Sequence, residues 1–470
     1  EQSLDLEKFL APHLDSFNWA VTEGLNKLPN WILPQEIKRD NDESALKFQV
    51  ESLSLSKPHD ERGQPIYPYQ SRLGGTTYGG SLQINIRAAY GDMPSKRISV
   101  ISENIPIMVN SCLCNMRGMT PKQKTEIFEE ETESGGYFVA NGYDKLLRLL
   151  ILNRQNYVFA IKRPSYMNKG EHFSTYATSL RSLAPDCSSV TTNVHYLTNG
   201  NMMVLIPVQR RMFFVPLPII LKSLIECSDK TIYQSITEGR NDPFVCDRVL
   251  AMLKYSSETD VNTNESARDY LGAHFKRVIG APQHFTNERV YKLLVDRYLF
   301  PHLTGKPLSA KYDLLIFMTK RLLSLVKGDV IPDNMDAASC HELLTPGTLW
   351  LAALSDGISD FLRGTATQIY RDENHQLDDL DKLSAILRKY ANSIENKMRY
   401  LFSSGQIRGN STLGLSQVDG LSIIAERINY MRYLAHFRSV HRGAFFANMK
   451  TTAVRNLLPE SWGFMCPRSE

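Results

Sequence analysis

At 470 residues the chain has room for about three domains, taking one domain per roughly 150 residues. Its hydrophobic content of 42% is ordinary for a globular protein, and its net charge of +4 is nearly balanced over that length. The field of the whole molecule is therefore too weak to attract nucleic acid, so any such attraction must come from local basic patches.

The cysteines and the apolar segments exclude two further classes. The seven cysteines form no CxxC pair, which fits a reducing compartment and excludes a disulfide framework. Cys112 and Cys114 have no second Cys or His pair nearby, which favours buried thiols over a metal site. No signal peptide opens the chain, and no apolar run reaches the roughly 20 residues of a membrane span. Because the chain lacks an initiator Met and stops at Glu470, we expect a fragment of a longer protein.

The first 134 residues show a helix pattern followed by strand patterns. Apolar residues spaced three or four apart predict an amphipathic helix over 6–25, with Gly24 near its end. Strands are predicted at a Ser-Leu-Ser-Leu-Ser segment and again over 84–86 and 98–109. Five glutamates between Glu126 and Glu133 predict a solvated helix or loop, because nothing spaces them for convergent metal coordination.

The segment from Gly135 to Lys169 carries the strongest local signals. A short apolar run followed by Asn141-Gly142 predicts a strand closed by a tight turn. Lys145 and Arg148 are three residues apart, which would place them on one helix face. Between 141 and 170 the single acid Asp144 stands against six bases: Lys145, Arg148, Arg154, Lys162, Arg163 and Lys169. Such a stripe suits a phosphate backbone, although a solvated charged face is the commoner origin of a charge run.

Residues 165 to about 300 predict a separate module. Alternating segments on either side of Asn199-Gly200 predict a β-hairpin, and 217–225 predicts a helix entered through prolines. The segment 312–326 is apolar on nearly every side and predicts a buried helix. After a turn-rich link, two more helices are expected, over 349–362 and 377–402.

The basic segment 402–466 begins with a Gly-rich stretch at 404–416, which predicts a flexible loop. Apolar residues from Leu421 to Ala435 then predict one helix, with Arg432 on its apolar stripe. A charge at that position must be paired or must face a partner. Arg427 and Arg438 would share a flank of the same helix. Ion pairs within the protein and contacts with a partner both explain these arginines.

Seven short motifs are spread over the whole chain. They are HLDSFNW at 13–19, RLGGTTY at 72–78, LCNMRG at 113–118, GGYFVANGYDK at 135–145, GLSQ at 414–417, AHFR at 435–438 and WGFMCP at 462–467. Together they resemble the N-terminal half of the second-largest subunit of a multisubunit RNA polymerase. The segment LLPESWGF at 457–464 favours the RNA polymerase I version, with the equivalent subunit of polymerase II or III as the alternative.

The resemblance implies an α+β, multidomain fold of mixed sheets packed with helices. A protrusion would be built from 1–164 and 336–400, a lobe would be inserted at 165–335, and a fork region would follow at 401–470. In such polymerases the protrusion and lobe wall one side of the DNA cleft. The fork lies close to the RNA–DNA hybrid.

The resemblance also implies which residues contact nucleic acid. Lys145 and Arg148 would lie near the hybrid backbone, and Gln417 would contact RNA near the active centre. The complete implied set is Lys145, Arg148, Arg408, Gln417, Arg438, His441 and Arg442, of which the last three would belong to the fork. Gly74 stands where the family's basic turn usually carries a second arginine, so a contact from that turn is expected to be weaker.

The implied activity is DNA-directed RNA synthesis by the whole complex in the nucleus and nucleolus. This chain would contribute no catalytic residue and no metal ligand, and alone it would be inactive. Mg²⁺ would be held by the largest subunit and Zn²⁺ by the C-terminal half of this subunit. The implied partners are the DNA template, the RNA–DNA hybrid, the largest subunit and other polymerase I subunits, with no membrane. A protein-interaction scaffold that docks other subunits is the alternative from another class.

Overall fold

The computed structural model describes residues 2–38, 44–209, 211–239, 242–257, 261–282, 284–335, 337–371, 377, 379–408, 413–415 and 417–441. These residues divide into two compact units. The first unit takes its residues from 1–152, 185–187 and 343–441, and the second from 153–184 and 188–342.

The first unit begins with a nearly continuous helix. Helix α1 (Gln2–Trp19) passes through a π-helical segment (Ala20–Gly24) into α2 (Leu25–Trp31). The predicted helix over 6–25 is therefore confirmed, but Gly24 does not end it. A Cβ at Gly24 would lie 2.6 Å from the side chain of Leu351, so the glycine there permits close packing.

A four-stranded antiparallel sheet follows in the order β1-β2-β3-β4. Its strands are β1 (Gln35–Ile37), β2 (Leu46–Leu55), β3 (Gly79–Tyr90) and β4 (Lys96–Pro106). A short helix, α3 (Pro68–Leu73), lies between β2 and β3, and another, α4 (Pro121–Glu126), follows β4. Next come β5 (Phe138–Ala140), β6 (Tyr143–Leu147) and β7 (Leu149–Asn153). Strands β2, β3, β4 and β5 confirm the predicted strand segments before residue 141.

The C-terminal part of the first unit is mainly helical. Its elements are α11 (Pro346–Arg371), α12 (Leu380–Tyr390), α13 (Asn392–Ser404), β14 (Ser422–Ile424), α14 (Tyr430–Arg438) and β15 (Val440–His441). The single helix predicted over 377–402 is wrong, because the chain has a break between α12 and α13 at Ala391.

Aromatic side chains join these segments in one core. The ring of Phe138 in β5 lies 5.5 Å from Phe17 of α1 and 4.6 Å from Phe402 of α13. Trp350 of α11 packs 5.1 Å from Phe17 and donates its indole N–H to the Pro106 carbonyl at 3.1 Å. Edge-to-face aromatic contacts of this kind add to the free energy gained by burying the rings. The β5–β6 hairpin is thus anchored to both ends of the unit's sequence.

The second unit is an antiparallel sheet covered by helices. Its strands run in the order β12-β11-β10-β9-β8 and are β8 (Val158–Lys162), β9 (Phe173–Leu183), β10 (Ser189–Leu197), β11 (Met202–Val208) and β12 (Arg211–Pro216). The helices are α5 (Leu217–Leu224), α6 (Asp229–Thr237), α7 (Pro243–Ser257), α8 (Asn264–Ile279), α9 (Asn287–Tyr298) and α10 (Leu308–Lys327), and β13 (His341–Leu344) leads back to the first unit. The predicted hairpin at Asn199-Gly200 and both predicted helices are confirmed.

Each unit combines helices with mainly antiparallel sheets, and strands and helices come largely in separate runs, which confirms the predicted α+β, multidomain fold class. Among the helices of the described segments, none combines the length and the apolar character that crossing a membrane would require.

Candidate nucleic-acid interface

Lys145 and Arg148 lie on or beside strands, and the predicted shared helix face is wrong. Asn141 and Gly142 have φ values of 50° and 80°, which turn the chain directly back from β5 into β6. Lys145 is inside β6, opposite Phe138 of β5. Arg148 is the residue between β6 and β7. Backbone pairing with β5 therefore overrides the helical tendency of the leucine-rich stretch.

The helix predicted from Leu421 to Ala435 is also wrong, because its first part is a strand. In β14, Ile424 pairs with Lys145 and Ser422 pairs with Leu147. Helix α14 begins only at Tyr430, where the Asn429 side chain accepts the Arg432 N–H at 2.7 Å. Arg432 consequently lies in the first turn, and its guanidinium pairs with Glu426 at 3.1 Å. Of the two explanations for Arg432, the structure shows the ion pair within the protein.

Arg408 and Gln417 lie on opposite sides of one loop. Its two sides are joined by hydrogen bonds from Ile407 N–H to the Val418 carbonyl (3.2 Å) and from Leu421 N–H to the Gly405 carbonyl (2.9 Å). Arg408 directly follows Ile407, and Gln417 directly precedes Val418. The Arg408 guanidinium lies 4.9 Å from the Tyr400 ring, and the Gln417 amide donates to the Asp419 carbonyl at 2.6 Å.

The Gly405–Leu421 loop is tied to the β6–β7 segment. The Arg148 N–H donates to the Leu421 carbonyl at 2.9 Å, so the loop's last residue is fixed against the residue between the two strands. The loop bearing Arg408 and Gln417 is thus connected by one backbone hydrogen bond to the strands that carry Lys145.

The C-terminal end of α14 brings two more predicted residues to this region. His441 in β15 is aligned with Leu150 of β7 in a parallel pairing. Burial and the nearby positive charge of Arg148 lower the pKa of His441. Arg438 is exposed, with its guanidinium 4.6 Å from the Phe9 ring of α1. Arg442 lies outside the described residues.

His13 of α1 holds the end of α14 in place. Its buried imidazole makes a 3.0 Å hydrogen bond with the carbonyl oxygen of Phe437, the residue before Arg438. The two rings also meet edge to face at 5.4 Å. A Cβ on Gly136, which has φ 85°, would come within 3.2 Å of the Phe437 ring. Residues from the start of the chain therefore fix where Arg438 sits.

A partly buried group of charges lies beside these strands. We call it the arginine network, and it comprises Arg72, Arg427, Glu129, Glu133, Asp144 and Tyr137. Arg72 contacts Glu129 and Asp144, each at 2.9 Å. Arg427 contacts Glu133 at 3.0 Å and Asp144 at 3.4 Å. The Tyr137 hydroxyl accepts from both guanidinium groups.

Two of the glutamates expected in solvent belong to this network. The Glu129 and Glu133 side chains are each 2% exposed, so the prediction of a solvated segment is wrong for both. Burial by itself would lower the pKa of each arginine, but Tyr137 and the carboxylates outweigh it and raise that pKa. Burial also raises the pKa of Tyr137, which keeps its hydroxyl protonated.

The sequence reasoning missed Tyr143, which is 63% exposed at the start of β6. Alternate residues of a strand face the same side, so Tyr143 shares a face with Lys145. The strand prediction would have found it, had it been extended past the Asn141-Gly142 turn. The pairing of Arg72 with Asp144 was beyond sequence reasoning, because 72 residues separate them.

The acids near the candidate interface do not fit a metal site. Within the described segments, no three His, Cys, Asp or Glu side chains are grouped as a metal ion would need. The three carboxylates of the arginine network each lie against a guanidinium group. A cation would have to displace a guanidinium group to reach any of these carboxylates.

Sequence comparisons identify the family. Residues 8–396 match a family described as RNA polymerase beta subunit, and residues 423–469 match one described as RNA polymerase Rpb2, domain 3.

The chain is also similar to three curated proteins. It is 32% identical over 99% of its length to DNA-directed RNA polymerase I subunit rpa2 of Dictyostelium discoideum. It is 35% identical over 99% of its length to DNA-directed RNA polymerase I subunit RPA2 of Homo sapiens, and 35% identical over 98% to the probable counterpart in Schizosaccharomyces pombe. The chain spans 43% of the first relative and 41% of the other two.

These names confirm the resemblance seen in the motifs, including its preference for the RNA polymerase I version. The first family match covers well over half of the 470 residues. The chain therefore belongs to the RNA polymerase beta subunit family.

Proposed function

We propose that this chain is a nucleic-acid-binding region of the second-largest subunit of RNA polymerase I, a nuclear and nucleolar enzyme that synthesises the ribosomal RNA precursor on a DNA template. In this proposal 1–164 and 336–400 form the protrusion, 165–335 the lobe and 401–470 the fork. The partners are the DNA template, the RNA–DNA hybrid, the largest subunit and other polymerase I subunits.

The convergence of Lys145, Arg148 and His441 on neighbouring strand positions supports this function most directly. Lys145 is in β6, and Arg148 is the residue after that strand. His441 of β15 is aligned with Leu150 of β7, two residues beyond Arg148. The exposed ring of Tyr143 lies on the face of Lys145. Cations beside an exposed aromatic ring suit a phosphate backbone with an accessible base. Arg408, Gln417, Arg438 and Arg442 complete the proposed set.

The contribution of these residues is to position the nucleic acid. Lys145 and Arg148 would bind phosphates without reading base edges, so binding would be independent of sequence and sensitive to salt. Holding template and transcript in register contributes rate through orientation. In the complete enzyme, Mg²⁺ on the largest subunit would supply the stabilisation of the attacking and leaving oxygens, and Zn²⁺ would lie in the remaining half of this subunit.

The test is the salt dependence of hybrid binding by the complete polymerase carrying Lys145→Ala and Arg148→Ala. We expect weaker binding of a short RNA–DNA hybrid and a shallower slope of log affinity against log salt, by roughly 0.7–0.9 for each phosphate that is no longer neutralised. Lys47→Ala is the matched control, because Lys47 is an exposed lysine on β2 of the same unit. The control should behave like the parent.

A protein-interaction scaffold is the other outcome of the same experiment. If the double variant binds the hybrid as the parent does, at every salt concentration, while losing association with other subunits, the basic residues serve protein partners and the proposed function is wrong.

A further inference from the structure

We propose that Arg72 and Arg427 are positioning residues that sequester the carboxylate of Asp144 and so keep Lys145 available for a phosphate. This inference rests on the proposed function, since it assigns a purpose to the arginine network beside the nucleic-acid site. It adds two residues that act through Asp144 and not by touching the nucleic acid.

The carboxylate of Asp144 is held from two directions. One oxygen accepts from the Nε–H of Arg72 at 2.9 Å, and the other lies 3.4 Å from an Nη nitrogen of Arg427. The Asp144 side chain is only 14% exposed, so water screens it poorly. Both arginines are in turn fixed by Glu129, Glu133 and the Tyr137 hydroxyl. The orientation of Asp144 is therefore set by groups on three other segments.

Strand geometry places Lys145 away from this network. Asp144 and Lys145 are consecutive in β6, and consecutive side chains of a strand point to opposite faces. Lys145 is aligned with Ile424, which is 49% exposed, and shares its face with Tyr143. Partial burial lowers the pKa of Lys145, and no neighbouring acid in the described part of the chain opposes that shift. A half-buried cation whose pKa no described carboxylate raises is suited to an anion supplied from outside.

Asp144 is the acid that could most readily cancel this charge. It is the single acid between residues 141 and 170, and it is the direct neighbour of Lys145. Released from its two arginines, the Asp144 carboxylate would be an uncompensated negative charge one residue from Lys145, on the other face of the same strand. Because water is partly excluded there, this charge would weaken the attraction of Lys145 for a phosphate. The two arginines therefore act on phosphate affinity as well as on folding.

A second carboxylate of this chain is held by two arginines and provides a matched control. Glu51 is also held by two arginines, Arg87 and Arg97, each at 2.8 Å. This group lies on strands β2, β3 and β4 and includes none of the predicted nucleic-acid residues. Removal of Arg97 should release a carboxylate that has no phosphate site beside it.

The experiment is a double-mutant cycle in the complete polymerase, read out as RNA–DNA hybrid affinity over a range of salt concentrations. Arg427→Gln should weaken binding about fivefold at moderate salt and reduce the salt slope, as expected when one phosphate is no longer neutralised. Asp144→Asn alone should change affinity less than twofold. Added to Arg427→Gln, Asp144→Asn should restore the affinity and the slope, whereas Arg97→Gln should change neither.

Three results would overturn the inference. The first is a severalfold increase in affinity when Asp144→Asn is introduced alone, which would show that the carboxylate is not sequestered. This measurement remains decisive even if the Arg427→Gln variant does not fold. Another is the double variant remaining as weak as Arg427→Gln, and the third is Arg427→Gln binding as the parent does. If instead Lys145→Ala leaves hybrid binding unchanged, the proposed function itself fails.

Discussion

Two regions of the first unit each hold one carboxylate between two arginines, and burial distinguishes them. In the arginine network Asp144 lies between Arg72 and Arg427, whose side chains are 24% and 31% exposed. On the sheet, Glu51 lies between Arg87 and Arg97, and the Arg97 side chain is 73% exposed. The four guanidinium–carboxylate distances lie between 2.8 and 3.4 Å, so each carboxylate has two ion-pair partners in both groups.

The difference shows that burial decides what such a contact is worth. At Glu51, hydrogen bonding from Arg97 lowers the pKa of the carboxyl, but water and salt screen the charges and compete for them. In the arginine network, the carboxylates of Glu129, Glu133 and Asp144 are only 2%, 2% and 14% exposed and depend on the two arginines for compensation. Removing one partner there leaves a buried charge unpaired, which costs far more than the pair contributed.

The largest effect is expected for Arg72→Gln. Arg72 contacts Glu129, Asp144 and the Tyr137 hydroxyl. Its removal therefore takes one cationic partner from both carboxylates at once. We expect a decrease of about 3 kcal/mol in the free energy of unfolding, measured by denaturant titration. Arg72→Lys keeps the charge but cannot bridge all three groups, and it should recover only part of that stability. If Arg72→Gln were as stable as the parent, burial would not be what makes these contacts important.

An intermediate effect is expected for Lys397→Met. Lys397 joins α13 to α11 by contacts with Asp356 and with Asp360, the latter at 2.6 Å, and its side chain is 12% exposed. Because Asp360 is 30% exposed and can be rehydrated, we expect the free energy of unfolding to fall by about 2 kcal/mol near pH 7.

The stability lost in Lys397→Met is expected to depend on pH. Burial already raises the pKa of Asp356, and Lys397 opposes the shift, so the variant's pKa should rise further. A carboxyl whose folded pKa lies above its unfolded value destabilises the protein as the pH rises through 3.8 and upward. The deficit relative to the parent should therefore be largest at neutral pH and shrink as the pH approaches 4. A deficit that grows on acidification would contradict this assignment.

The smallest effect is expected for Arg97→Gln. Arg97 is exposed, and Glu51 keeps Arg87 as a partner. The midpoint of thermal unfolding should stay within about 1 °C of the parent's. A shift as large as that of Arg72→Gln would mean that burial is not what separates the two groups.

The sequence alone determined the local elements whose signals lie within a few residues. The Asn141-Gly142 and Asn199-Gly200 pairs specified their hairpin turns, the 3.6-residue spacing specified α1, and the long apolar run specified α10. The motifs also determined the family. These features were readable because turn geometry and amphipathic periodicity are properties of short segments.

The tertiary structure alone decided how the charges are used. Lys145 and Arg148 have a spacing that suits a helix face, yet pairing with Phe138 and Ile424 placed Lys145 in a strand. Arg427 lies 294 residues from its partner Glu133, and no local pattern connects them. Which carboxylates are buried, and which arginines compensate them, depends on segments brought together by a shared core. Long-range packing sets the dielectric environment of each charge, and that environment, not spacing in the sequence, determines whether a cation stabilises the fold or is available to a ligand.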